Sequence, residues 1–437
     1  MGLTRPTRQP LLRAALGLFF GAAAAAASDN GRLRLELPEN LSGFWEVRAG
    51  ARTQPDPHAT DLSLAETRLQ LRYEAEFEAA TVKLVPDFLY DGVDGQRRLD
   101  LETGQGWLDL REANALFRPG DALDLKIGRQ ILTWGTGDLL FINDLFPKDW
   151  NAFFSGRDQE YLKAPSDAVK LSLFHDLANL DLVFTPCFDP DRFIDGRRIS
   201  YWNAARDDRA GDDAIVAADR PNRWFRDFEL AARLYRNLHG YELALYGYRG
   251  FWKSPAGSDP ATGNATFPDL NVLGASARGT VGRGIGHAEI GWYDSANDRA
   301  GDDPLVRNSE LRLLLGYEQE LWPDFTAGVQ YYLEWMQQYG AYRDALPPGA
   351  HAADEFRHVT TLRLTQSLLQ QNLTCSLFLF LSPSDHDAYL RPSVNYKLTD
   401  TWQAEAGANL FFGEDPWSFF GQFERNNNLY ASLRASF

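Results

Sequence analysis

From Arg68 to Phe77 polar and apolar residues alternate without a break, and the same period of two recurs from Leu41 to the last residue. A period of two sends successive side chains to opposite faces, so each such segment is a strand with two unlike surfaces. The segments begin near Ser42, Glu66, Ala80, Gly106, Ala122, Ala168, Asn179, Asp227 and Tyr241. They continue near Asn271, Gly284, Glu310, Asp324, Glu355, Asn372, Asp387, Thr401 and Asn427. That predicts about eighteen strands of roughly 9–13 residues, the length a tilted strand needs to cross hydrocarbon. An even number returns both ends of the sheet to one side, as closure of a single chain requires.

The connections alternate as well. Short links at Arg118–Asp121, His175–Ala178, Arg236–Gly240, Leu321–Pro323, Gln370–Gln371 and Leu398–Asp400 alternate with long ones such as Ala51–Ala65, Asp91–Gln105, Trp134–Asp167 and Phe188–Arg226. Short turns on one side and long loops on the other are the habit of a membrane barrel, and a soluble sandwich has no reason to keep it. Trp45, Trp107, Trp134, Trp224, Trp252, Trp292, Trp322, Trp335 and Trp402 lie near strand ends, where indoles would form girdles at the two interfaces.

At the C-terminus Leu429, Ala431, Leu433, Ala435 and Phe437 share one face. Here the chain resembles the outer-membrane porin class, whose last strand alternates in this way and ends in phenylalanine. The resemblance implies recognition by the barrel-assembly machinery, and a strand number of eighteen is similar to substrate-specific porins and polysaccharide exporters.

The N-terminus fits export. Arg5, Arg8 and Arg13 precede an uncharged stretch, Ala14–Ala27, that ends in alanines. This reads as a signal peptide over residues 1–27, leaving 28–437 as an outer-membrane β-barrel embedded in lipid. A formal net charge of -16 argues against nucleic acid. Cys187 and Cys375 stand alone and suggest neither a disulfide nor a metal site. No cofactor is implied: the Gly-Thr-Gly-Asp stretch at Gly135–Asp138 lacks the ending of a phosphate loop.

With leucines outward, the lumen receives the cations Arg68, Arg72, Lys83, Arg111, Lys126, Lys170, Arg233, Arg312, Arg363, Arg391 and Arg434, nearly balanced by Glu46, Asp87, Asp109, Glu289, Glu334 and other acids. A set of charges this large is accommodated by a wet pore rather than a dry core. The third long loop carries Trp134, Phe141, Phe146, Trp150, Phe153, Phe154 and Tyr161, too apolar to stand in water. It is expected to fold inward and narrow the pore, with Asp138, Asp144, Lys148, Asp149, Arg157 and Asp158 as constriction residues. Asp208–Asp213 recurs identically as Asp298–Asp303; two acidic turns on a rim explain the repeat as well as a Ca²⁺ site does. Seven scattered histidines give no hydrolase constellation.

The expected fold is therefore an all-β, antiparallel up-and-down transmembrane barrel. Its expected function is passive passage of small polar solutes, with anion preference if the Arg68–Arg72 stretch lines the narrowest part. A sheath around a partner protein and an exporter of anionic polysaccharide are the alternatives. Deleting Phe437 should slow barrel assembly, measured as a reduced heat-modifiable band in outer-membrane fractions; a normal band would contradict this role for the terminal residue.

Overall fold

The structure, a computed structural model, describes residues 38–95 and 98–437. The signal segment expected over 1–27 and the start of the mature chain lie outside the described residues. Eighteen strands form one sheet, beginning with β1 Leu41–Arg52, β2 Leu62–Glu76, β3 Thr81–Asp91, β4 Leu108–Gly120, β5 Leu123–Ile131 and β6 Pro165–Leu173. The next are β7 Asn179–Thr185, β8 Glu229–Leu238, β9 Tyr241–Phe251, β10 Asp269–Val281, β11 Gly284–Ser295 and β12 Glu310–Trp322. The last are β13 Phe325–Met336, β14 Phe356–Leu368, β15 Leu373–Ser382, β16 Asp387–Lys397, β17 Trp402–Gly413 and β18 Asn428–Ser436. None starts more than four residues from the position expected from alternation.

Each strand pairs antiparallel with its sequence neighbour, and β1 pairs with β18 from Phe44↔Ser436 to Arg52↔Asn428. Gly43 and Phe437 exchange two backbone hydrogen bonds of 3.0 Å at the end of this seam. The barrel is closed, so no strand edge is left to lipid, where an unpaired N–H or C=O would cost several kcal/mol.

The two faces separate as the alternation requires. On β1, Phe44, Glu46 and Arg48 are buried while Trp45 and Val47 are exposed outward. Trp107, Trp224, Trp292, Trp322, Trp335 and Trp402 are exposed too. Two of the expected girdle residues turn inward instead: Trp252 is buried, and Trp134 packs edge-on against Phe146 at 4.9 Å. The loop that carries each one leaves its strand toward the barrel axis and takes the indole with it.

A strict period of two also fails on β4 at Arg111 and Glu112, opposite Pro86 of β3, which has no N–H to give the ladder. The β3–β4 register shifts between Val85 and Pro86, as a proline inside a strand requires. Glu112 thereby joins Arg111 on the lumenal side, where it reaches Lys83 at 2.8 Å and Lys126 at 3.6 Å.

On β12, Leu313 faces lipid mid-strand and Glu318 faces the lumen. Leu313→Arg should destabilise the barrel by about 2–4 kcal/mol, the cost of arginine at mid-depth, whereas Glu318→Arg should fold nearly as the parent does. Urea-unfolding midpoints in lipid vesicles check this, and equal losses would mean that the register is wrong.

Candidate functional site

The third loop, residues 132–164, folds into the barrel. Its glycines make the path possible: Gly135 (φ +80°) brings the chain against Glu289, and Gly156 (φ +89°) sits where a side chain would meet the Tyr430 ring. Between them a short helix, α1 (Trp150–Ser155), is capped by Asp149, whose side chain accepts from the Ala152 N–H. Phe153 and Phe154 of α1 pack edge-on against Tyr389 of β16 at 5.7 and 5.3 Å, and Phe154 also meets Phe411 of β17. Opposite, Leu314 is fully buried at a lumen-facing position of β12, against Gly137. Wherever the loop docks, the wall has apolar inward residues, which the rule of leucines outward does not anticipate.

Polar anchors complete the docking. Glu289 of β11 is 2% exposed. It accepts from the backbone N–H groups of Thr136, Gly137 (2.8 Å) and Asn143 (3.1 Å), and from the Asn143 side chain at 2.9 Å. Among the described residues no cation pairs with it, and loop donors satisfy it. Arg363 donates to both carboxylate oxygens of Asp138, through Nε and through one terminal nitrogen at 2.8 Å. Arg434 bridges Glu46 at 3.0 Å and Asp158 at 2.9 Å. Arg157 meets Glu66 at 2.9 Å.

A second loop, residues 186–228, clamps the first from above. Arg192 forms a fork on Asp109 at 2.9 and 2.7 Å and also reaches Asp149. Asp191 accepts from the Lys148 N–H and from the Trp150 indole. Burial and the neighbouring Glu229 push the Asp189 carboxyl up to about 7. This clamp was not foreseen from the sequence. Phe188, Phe193, Ile194, Ile199, Tyr201 and Trp202 give the first part of this loop an apolar stretch like that of the third, and that was the available signal.

The expected site residues divide accordingly. Arg68 and Arg111 face inward but are only 4% and 3% exposed. The Tyr161 ring lies over both, at 4.1 and 4.9 Å, so the third loop seals them from the passage. Arg68 instead pairs with Asp87 at 2.7 Å, which removes it from the narrowest part. Arg312 is largely covered, held by Glu310 and lying 3.9 Å over Tyr293. Asp144, Lys148 and Asp149 are buried within the loop packing, Asp144 and Lys148 as a pair at 3.1 Å. Asp138, Asp158, Arg363 and Arg434 remain partly exposed. Below the loops Arg72, Glu74, Arg278 and Glu318 are open to solvent, and Lys83, Lys126, Lys170 and Arg233 are half-buried on adjacent wall positions. Arg391 lies 4.4 Å over Phe153 and forms no ion pair among the described residues.

The repeated acidic hexapeptide takes two conformations. Asp298 accepts from the Gly301 and Asp303 N–H groups, whereas Asp213 binds Gly211, His58 and Arg206. Their carboxylates are thus engaged by groups of the chain itself. Among the described residues no histidine ring is hydrogen-bonded to a serine or cysteine.

A closed eighteen-stranded barrel with its third loop inside can be compared as a whole. OccAB1 of Acinetobacter baumannii is similar over 91% of this chain and 95% of its own, with TM-score 0.51 and 9% identity. OccAB4 of the same organism gives 0.56 and 9% over 91% and 97%. OccD3 (OpdP) of Pseudomonas aeruginosa gives 0.50 and 11% over 91% of each chain. The chain has a porin fold. No family model matches it, and no curated protein matches it in sequence. The porin barrel, with its apolar outer band and closed seam, is a bacterial outer-membrane protein.

Glu289→Ala would orphan the loop donors that the carboxylate satisfies. Hydrogen bonds to a charged acceptor contribute about 1.5–3 kcal/mol each, so this porin barrel should stay folded while its third loop loosens. Planar-bilayer recordings should show frequent conductance steps absent from the parent; a quiet trace at parental conductance would mean that Glu289 anchors nothing.

Proposed function

We propose that the protein is an outer-membrane channel for passive passage of small polar solutes, preferring anions. The observation that carries this reading is Arg391, which lies over Phe153 of α1 and has no ion-pair partner among the described residues. The wall below supports it. Lys126 and Lys170 face each other across the β5–β6 pair, and among the described residues Lys83, Lys126 and Lys170 have only Glu112 and Asp181 as ion-pair partners. Like charges placed opposite one another are destabilising, so the row makes sense where anions visit it. Rings of cationic side chains select anions in pores generally.

The alternatives fit less well. A sheath needs a hollow interior, and the inward loops 132–164 and 186–228 occupy the extracellular half of this one. An exporter of anionic polysaccharide needs a continuous cationic path, but Arg68, Arg111 and Arg312 are covered. We assign the chain no catalytic role. The solute, the surrounding lipid and the assembly machinery are its proposed partners.

Reversal potentials across a salt gradient should show anion selectivity in the parent. Arg391→Glu reverses one charge beside α1 and should shift the potential toward cations without loss of folded barrel. Unchanged selectivity in a well-folded Arg391→Glu protein would remove the observation on which this reading rests.

A further inference from the structure

The outward face of β6 to β11 carries a feature that the passage does not use. Ala232 and Gly247 are register partners in the β8–β9 pair, and both point to lipid because Ala231, Tyr246 and Tyr248 beside them are buried inward. Neither covers the wall. Leu171, Leu182, Leu230 and Leu273 stand around the gap and leave an apolar depression of about 730 Å³.

Its polar lining is confined to Arg249, Asn271 and Asp294. All three sit at the loop ends of β9, β10 and β11, the extracellular side by the long-loop rule. The depression is therefore apolar at depth and polar at its outer end, like an amphiphile of the outer leaflet.

The charges are not balanced within the protein. Asp294 is engaged by Arg299 at 2.8 and 2.7 Å and by Asn271 at 3.1 Å. The Arg249 side chain is exposed and forms no ion pair or hydrogen bond among the described residues. A lipid-facing arginine is tolerated only near the interface, and there it meets phosphate, for which its planar fork is suited. Trp224 and Phe225, 62% and 71% exposed, stand above the same rim, with Phe225 stacked on Phe184 of the depression at 6.4 Å. Exposed aromatics of this kind sit at headgroup depth.

We propose that this depression binds a phosphorylated acyl glycolipid of the outer leaflet. One acyl chain lies over Ala232 and Gly247, and Arg249 holds a phosphate. Neither the pore nor its selectivity enters this assignment.

The test is native mass spectrometry of the detergent-purified barrel titrated with lipid A and with its dephosphorylated form. A side-chain atom added at Gly247 meets nothing within 4 Å, so Gly247→Leu fills the depression without disturbing the fold. Gly247→Leu and Arg249→Gln should each weaken lipid A binding at least tenfold, and the parent should prefer the phosphorylated form while Arg249→Gln does not. Parental binding in both variants, or equal binding of the two lipids by the parent, would overturn the proposal. So would a detergent-stable oligomer of the parent that Gly247→Leu breaks while lipid A binding is unchanged, which would make the depression an interface between copies.

Discussion

Every backbone N–H and C=O that enters hydrocarbon needs a partner inside the protein, and the architecture follows from that demand. The β1–β18 seam supplies the last partners, and the Gly43–Phe437 exchange ends it. Closing eighteen strands leaves an interior too wide for wall side chains to fill. The chain fills the extracellular half with its own loops and leaves the other half wet.

How the loops are held decides what the interior can do. Loop 132–164 is fixed by a carboxylate that receives backbone donors, by arginine pairs, and by aromatic packing onto β16 and β17. These anchors consume most of the wall charge they touch, so a charged residue on the lumenal face is not thereby a pore residue. Arg68 and Arg391 share the same parity of facing, yet one is sealed under Tyr161 and paired with Asp87, while the other lies over Phe153 of α1 with no ion-pair partner among the described residues. What separates them is the path of the loop.

This explains what could be read from the chain alone. Strand number, strand starts and the lipid face are local consequences of alternation, and membrane burial leaves no latitude for a slip of one residue. The inward fold of the third loop was legible from its aromatic density. The partners of that loop were not, because Glu289, Asp109 and Arg192 lie far from it in sequence and only the fold brings each of them to the loop or its clamp. Glu112 was missed because strict alternation turns it to lipid; Pro86 was the warning, since a proline in a strand marks a bulge. Trp134 and Trp252 were misplaced because position near a strand end does not say which way the following loop turns.

What passes through the barrel depends on the third loop being the element that narrows the lumen. Replacing residues 138–156 with a short glycine–serine linker removes α1, Asp138 and the aromatic packing while leaving every strand pair in place. Single-channel conductance of that protein in planar bilayers is the most direct measurement. A several-fold rise with weaker ion discrimination is expected; an unchanged conductance in a heat-modifiable, correctly folded barrel would show that the loop caps the mouth and does not form the constriction.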